Sequence, residues 1–138
     1  MKTKEPKYKF GKVMLLDDNE LDNFINQKIL ESVHFAKNIY VNTSTQSAIE
    51  FIRNLTVAPE LLSKSLPEVI FIDINMPIID GFQFITLLKE IPSVNIDVVK
   101  LVILTSSLDE RDEEKAKTIS EDIVFLRKPL TGAMLAAL

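Results

Sequence analysis

The sequence predicts one α/β domain in which helices cover both faces of a five-stranded parallel sheet, a doubly wound arrangement. Short runs of β-branched and aliphatic residues alternate along the chain with longer segments of helical spacing. The first, third and fourth runs are almost entirely apolar, which is typical of strands buried on both faces. With 138 residues, 46% of them apolar, the chain can bury a core without disulfides or a structural metal.

Five segments are predicted to be strands, because each is short, apolar and rich in valine, isoleucine or leucine. They are residues 12–16, 38–41, 69–72, 101–104 and 123–126. Residues 12–138 form the predicted domain. Residues 1–11 are predicted to be a flexible basic tail, since five lysines lie between Lys2 and Lys12.

Three helices are predicted from apolar stripes that follow a capping residue. Asn19, Ser44 and Asp80 can each accept hydrogen bonds from the free amides of a first helical turn. The stripes are Leu21, Phe24 and Ile25 for the first helix, Ala48, Phe51, Ile52 and Leu55 for the second, and Phe84, Leu87, Leu88 and Ile91 for the third.

The remaining helical segments carry weaker signals. A fourth helix over residues 109–120 has only Ala116 and Ile119 as inward-facing residues, which predicts a mobile helix. A fifth helix begins near Thr131. Residues 57–62 either extend the second helix or form a short helix of their own.

Composition excludes several classes of function. The absence of cysteine rules out disulfides, thiol catalysis and thiolate zinc sites, and no stretch at the N-terminus resembles a signal peptide. We therefore expect a cytoplasmic protein. No apolar run reaches the length of about 18 residues that a membrane span needs. The net charge of −4 argues against direct nucleic-acid binding.

Reactive side chains follow four of the five predicted strands. Asp17 and Asp18 follow the first strand, Asp73 the third, Thr105 the fourth and Lys128 the fifth. Ligands of open α/β sheets bind at the carboxyl ends of the strands, so these groups are expected to converge. Any one of them alone is commonly a helix cap or a solvated loop residue. Clustered carboxylates need a counter-charge, and Mg²⁺ bound by oxygen ligands supplies one.

Four segments resemble the signature blocks of response-regulator receiver domains. They are "MLLDDNE", "VIFIDINMPIIDGF", "LVILTSS" and "VFLRKPLT", in the family's order and spacing over residues 12–138. The resemblance implies a flavodoxin-like sheet with strand order 2-1-3-4-5. It also implies a signalling switch and not a conventional enzyme.

The resemblance also assigns the acidic residues. Asp73 resembles the phosphoacceptor of the family. Asp18, Asp73 and the backbone carbonyl of Asn75 resemble the direct Mg²⁺ ligands, while Asp17 is similar to the acid that holds metal-bound water. Gly81 matches the glycine of the turn into the third helix.

Further residues match the family's positions for catalysis and switching. Lys128 would pair with phosphoryl oxygens, and Thr105 would donate a hydrogen bond to the phosphorylated state. Phe125 is at the aromatic switch position. Asn75 and Ser107 are at positions that tune hydrolysis of the acyl phosphate.

By the same resemblance, the phosphodonor is a sensor histidine kinase or a histidine phosphotransfer protein. Phosphorylation would change the surface around the fourth helix, fifth strand and fifth helix, which a downstream protein of unknown identity would read. Because no output domain is present, the chain is either a stand-alone receiver or a fragment of a larger regulator.

Three other interpretations compete with a working receiver. A pseudo-receiver would have the fold without the phosphate cycle, but here every expected site residue is present. A phosphatase of the haloacid dehalogenase type expects Asp-x-Asp, whereas Asp73 is followed by Ile74 and Asn75. A dinucleotide-binding enzyme needs a glycine-rich loop, which the chain's three glycines cannot form.

Overall fold

A computed structural model describes residues 6–138. Five parallel strands form one sheet with the order β2-β1-β3-β4-β5. The strands are β1 (Phe10–Leu16), β2 (Ala36–Asn42), β3 (Val69–Ile72), β4 (Lys100–Thr105) and β5 (Val124–Arg127). The predicted number, direction and order of the strands are confirmed.

Within residues 6–138, six α-helices connect and flank the strands. They are α1 (Glu20–Ser32), α2 (Thr45–Leu55), α3 (Pro59–Ser65), α4 (Gly81–Lys89), α5 (Glu110–Ile119) and α6 (Gly132–Ala136), with a 3₁₀ turn at Ile96–Val98. The short helix α3 is separate from α2 and starts with Pro59, a residue suited to a first helical position. The predicted fourth and fifth helices therefore correspond to α5 and α6.

The predicted helix caps are confirmed. Asn19, Ser44 and Asp80 each accept a hydrogen bond from the backbone amide three residues later, at 3.0, 3.1 and 2.9 Å. The backbone amide of Asp80 in turn donates to Oε1 of Gln83 at 2.9 Å, which completes a capping box. These caps fix where α1, α2 and α4 begin relative to the strands before them.

Alternate side chains of the strands point to opposite faces of the sheet and build two cores. One core lies under α2, α4 and α5, and the other lies under α1 and α6. The residues of β1, β3 and β4 in the first core are Met14, Leu16, Ile70, Ile72, Leu101 and Ile103, and those in the second are Val13, Leu15, Val69, Phe71, Val102 and Leu104. Helices thus cover both faces, as predicted.

The apolar stripe from which the first helix was predicted does not face the sheet in α1. Leu21, Phe24 and Ile25 are 66%, 58% and 43% exposed, while Asn23 and Asn26 on the other side of the helix are buried. The amide of the Asn23 side chain donates to the backbone carbonyl of Asp17 at 2.8 Å. A polar contact with the end of β1 therefore sets the inner face of α1, and the apolar stripe faces outward.

The start of the domain differs slightly from the prediction. Strand β1 begins at Phe10, inside the predicted tail of residues 1–11, and the amide of Lys9 already donates to the carbonyl of His34. Residues 1–5 of that predicted tail lie outside the described residues. Within residues 6–138, no helix has the length and apolar character needed to cross a membrane.

Candidate metal and phosphoacceptor site

Three carboxylates meet at the carboxyl edge of the sheet. Asp17 and Asp18 follow β1 and Asp73 follows β3, and these two strands are paired neighbours. One carboxylate oxygen of each residue lies within 4.8 Å of the others. Asp17 and Asp73 are buried and Asp18 is exposed, so the cluster opens to solvent on one side.

Burial raises the pKa of Asp73 to about 6. The backbone amide of Asn75 opposes this shift by donating to Oδ1 of Asp73 at 3.1 Å. The negative charge of Asp17 raises the pKa further, and the positive charge of Lys128 lowers it. Asp73 is therefore mainly ionised at neutral pH. Its charge lowers the stability of the folded state, and a cation bound beside it would offset this loss.

Lys128 supplies a positive charge to this cluster from β5. Its backbone amide donates to the carbonyl of Thr105 at 2.8 Å, which places the side chain at the same edge of the sheet. The Nζ atom lies 2.6 Å from Oδ2 of Asp17 and 3.8 Å from Oδ2 of Asp73. Burial lowers the pKa of Lys128, but its hydrogen bonds to Asp17 and Asp22 outweigh burial and raise the pKa above its usual value.

Thr105 ends β4 and is fully buried beside the carboxylates. Its Oγ1 accepts hydrogen bonds from the backbone amide of Ser107 at 3.1 Å and from Nδ2 of Asn75 at 3.4 Å. Ser107 directs its own hydroxyl away from this group, to Oδ2 of Asp112 at 2.6 Å on the first turn of α5. Thr105 is thus connected both to the loop after Asp73 and to the start of α5.

Phe125 is half-buried on β5 and packs against the core under α5. The guanidinium group of Arg127 lies over its ring, 5.4 Å from the centroid. Nε of Arg127 also donates to the carbonyl of Ser107 at 3.2 Å. Arg127 therefore links the aromatic ring to the loop that follows Thr105, a contact that the sequence did not predict.

Gly81 packs closely against the segment that carries Asp73. Its backbone amide donates to the carbonyl of Ile74 at 3.3 Å. A Cβ atom at Gly81 would lie 2.5 Å from the carbonyl oxygen of Asp73 and 2.8 Å from Cα of Ile74. The absence of a side chain allows α4 to start directly against the segment that carries Asp73.

Sequence reasoning missed one acid of the site. Oδ2 of Asp22 lies 2.8 Å from Nζ of Lys128, although Asp22 belongs to α1 and lies outside the cluster of three carboxylates. A signal was present, because Asp22 is on the first turn of the helix that directly follows Asp17 and Asp18. Acids on first turns usually stabilise the helix N-terminus, so there was no reason from the sequence to assign Asp22 a second role in the site.

An acid cluster with two buried members, paired with a lysine at the carboxyl edge of a parallel sheet of order 2-1-3-4-5, is typical of phosphoacceptor signalling domains. The family model described as "Response regulator receiver domain" matches residues 13–138. The chain belongs to this family, whose members act in two-component signalling and interact with histidine kinases or phosphotransfer proteins.

Solved structures with a similar fold include two response regulators. A two-component response regulator from Cytophaga hutchinsonii is 35% identical, with a TM-score of 0.79, and 92% of each chain is covered. A response regulator receiver protein from Dyadobacter fermentans is 26% identical, with a TM-score of 0.77, and 91% of this chain and 92% of that chain are covered.

Two curated relatives match most of this chain, but the match covers very different shares of their own lengths. The Hybrid signal transduction histidine kinase B of Dictyostelium discoideum is 27% identical over 131 residues, which cover 88% of this chain but 6% of the kinase. A probable methanogenesis regulatory protein of Methanothrix harundinacea is 24% identical over 119 residues, which cover 86% of this chain and 72% of that protein.

The donor set of the site fits Mg²⁺. Receiver domains use this ion at an acidic cluster, and here the carboxylates of Asp17, Asp18 and Asp73 provide hard oxygen donors close to one another. Burial of two of them makes a counter-cation favourable, while the exposure of Asp18 leaves a path for the ion and its waters.

Proposed function

We propose that Asp73 accepts a phosphoryl group from a histidine kinase or a histidine phosphotransfer protein, and that the resulting acyl phosphate is later hydrolysed. The observation that carries this proposal is the placement of Asp73 between a lysine and two further carboxylates at the strand ends. Asp73 is buried and accepts a hydrogen bond from the amide of Asn75, in the loop that follows β3.

Each neighbouring group has a role that follows from its charge or its hydrogen atoms. The Asp73 carboxylate is the nucleophile, and Lys128 neutralises charge on the phosphoryl oxygens. Mg²⁺, held by Asp18, Asp73 and the Asn75 carbonyl and through water by Asp17, would supply further positive charge. Because the phosphoryl-transfer transition state is loose, positioning and charge account for most of the rate.

The contacts of Thr105 support a route from phosphorylation to the surface. The Oγ1 of Thr105 is the acceptor in both of the hydrogen bonds described above, so its hydroxyl hydrogen can be donated to a phosphoryl group on Asp73, and a shift towards that group would pull on the Ser107 amide that donates to it. Arg127 contacts both Ser107 and the ring of Phe125, so movement of this loop is transmitted to β5. The surface of α5, β5 and α6 would then differ between the two states by a population shift.

The exposed apolar stripe of α1 is a suitable surface for the phosphodonor to bind. Leu21, Phe24 and Ile25 lie three and four residues apart, so they form one apolar surface along the helix. Helix α1 begins two residues after Asp18, which brings the first turn of this surface to the edge of the site. A donor helix bound there would present its phosphohistidine towards Asp73.

The phosphoacceptor assignment predicts that acetyl phosphate with Mg²⁺ adds one phosphoryl group to the parent protein and none to the Asp73→Asn variant. Intact-protein mass spectrometry measures this addition. Asp97→Asn is a matched control, because Asp97 is an exposed acid on the opposite edge of the sheet, and it should be labelled like the parent. Stoichiometric labelling of Asp73→Asn would show that another group is the acceptor, and labelling of the parent that a chelator leaves unchanged would show that the reaction does not need Mg²⁺.

Binding of the phosphodonor to the apolar stripe of α1 predicts that Phe24→Asp affects transfer from a protein donor and not labelling by acetyl phosphate. Transfer from a phosphorylated histidine kinase or phosphotransfer protein of the source genome should slow by at least about tenfold, as for an aromatic anchor residue. Labelling by acetyl phosphate should not change, since this small donor needs no docking. Val57→Asp, at a position that is 79% exposed on another surface, is the control. Equal slowing with both donors would place the effect in the site itself.

A further inference from the structure

Lys128 is held by two acids that belong to different parts of the site. Its Nζ lies 2.6 Å from Asp17 and 2.8 Å from Asp22, and its side chain is 14% exposed. An ammonium group has three N–H donors. Two of them are occupied by these acids, which leaves one free to turn towards Asp73, whose Oδ2 is 3.8 Å away.

Asp22 belongs to a capped helical turn. It lies on the first turn of α1, where its backbone amide donates to the capping side chain of Asn19 at 3.0 Å. The cap fixes the backbone of this turn, and so fixes where the Asp22 side chain starts, within hydrogen-bond reach of Lys128. Its side chain is 35% exposed, compared with 6% for Asp17, so Asp22 is the outer of the two partners of the lysine.

The two partners differ in their relation to the metal. Asp17 belongs to the cluster of three carboxylates, and Asp22 does not. A cation bound at that cluster competes with Lys128 for the charge of Asp17, because one carboxylate cannot fully neutralise both. Asp22 remains available to the lysine in either case.

We propose that Asp22 is a positioning residue for phosphoryl transfer, which keeps the Lys128 ammonium group in the site when the metal engages Asp17. This inference rests on the proposed function. Without Asp22 the long lysine side chain must be ordered anew in each reaction, whereas with Asp22 it is already in place. Among the described residues, the Asp22 carboxylate forms its ion pair with Lys128 and is not part of the metal cluster, so its direct contact with the site is through Lys128.

The test compares Asp22→Asn with Glu20→Gln at saturating Mg²⁺. Both changes remove one acid from the first turn of α1. Glu20 is exposed and is not among the described acids that pair with Lys128. The initial rate of labelling by acetyl phosphate should fall about tenfold for Asp22→Asn. It should stay at the parent value or rise slightly for Glu20→Gln, and Asp22→Glu should recover part of the loss.

Two further readouts separate positioning from a loss of structure. In a Lys128→Met background, Asp22→Asn should cause no additional loss of rate, since its route of action is gone. In ¹H–¹⁵N spectra of lysine ammonium groups recorded with Mg²⁺ alone, the Lys128 signal should persist in the parent and in Glu20→Gln and should broaden away in Asp22→Asn. This spectrum requires no phosphoryl transfer.

The outcomes also distinguish this inference from the proposed function. A parent protein that labels, together with an Asp22→Asn variant that labels at the rate of Glu20→Gln, overturns the role of Asp22 alone. An unchanged Lys128 signal in Asp22→Asn, or an equal loss of rate in the Lys128→Met background, does the same. A parent protein that is not labelled at Asp73 overturns both.

Discussion

Gly81→Ala should destabilise the protein by about 3 kcal/mol, at the upper end of the cost of overpacking. The new Cβ would lie 2.5 Å from the carbonyl oxygen of Asp73 and 2.8 Å from Cα of Ile74. Both are backbone atoms, so no side-chain rotation can relieve the contact. Thermal unfolding should show a midpoint lower by about 10 °C.

The same substitution should also reduce labelling of the folded variant by acetyl phosphate. Relief of the contact requires that the Asp73 segment or the start of α4 moves, and misplacement by about 1 Å can slow a positioned reaction about a hundredfold. Gly132→Ala is the matched control, because its nearest atom is a side-chain carbon of Val33 at an ordinary 3.5 Å. An unfolding midpoint for Gly81→Ala equal to that of Gly132→Ala would refute the predicted contact.

Asp73→Asn should stabilise the metal-free protein by roughly 2 kcal/mol at about pH 7.5. Burial raises the pKa of Asp73 to about 6, so the folded state holds this proton more tightly than the unfolded state does. Protonated Asp73 therefore adds to the free energy of unfolding at low pH, and this contribution is lost as the pH rises through about 6. Asparagine is neutral throughout and can still accept the hydrogen bond from the Asn75 amide.

The pH dependence makes this prediction specific. The difference between Asp73→Asn and the parent, measured by urea unfolding, should shrink as the pH is lowered from about 7.5 to about 4. It should also shrink when Mg²⁺ is added, since the ion stabilises the folded parent. The exposed control Asp97→Asn should change stability by less than about 0.5 kcal/mol. A gain that is the same at all pH values would mean that the ionisation of Asp73 is not its cause.

The sheet and the convergence of its strand ends were predictable from local patterns. Apolar runs define buried strands, and parallel strands bring their carboxyl ends to one edge whatever the loops between them do. Asp17, Asp73 and Lys128 could therefore be placed together before their distances were known. The N-caps Asn19, Ser44 and Asp80 were predictable for the same reason, since a cap depends only on residues three positions apart.

Contacts between distant parts of the chain were decided only by the tertiary structure. The sequence by itself determined that α1 has an apolar stripe, because helical periodicity is local. Periodicity does not determine which side of a helix meets the sheet, and the buried contact of Asn23 with the end of β1 turned Leu21, Phe24 and Ile25 outward. The same rotation of α1 set Asp22 against Lys128, 106 positions away, because an ion pair forms only where packing brings both charges together.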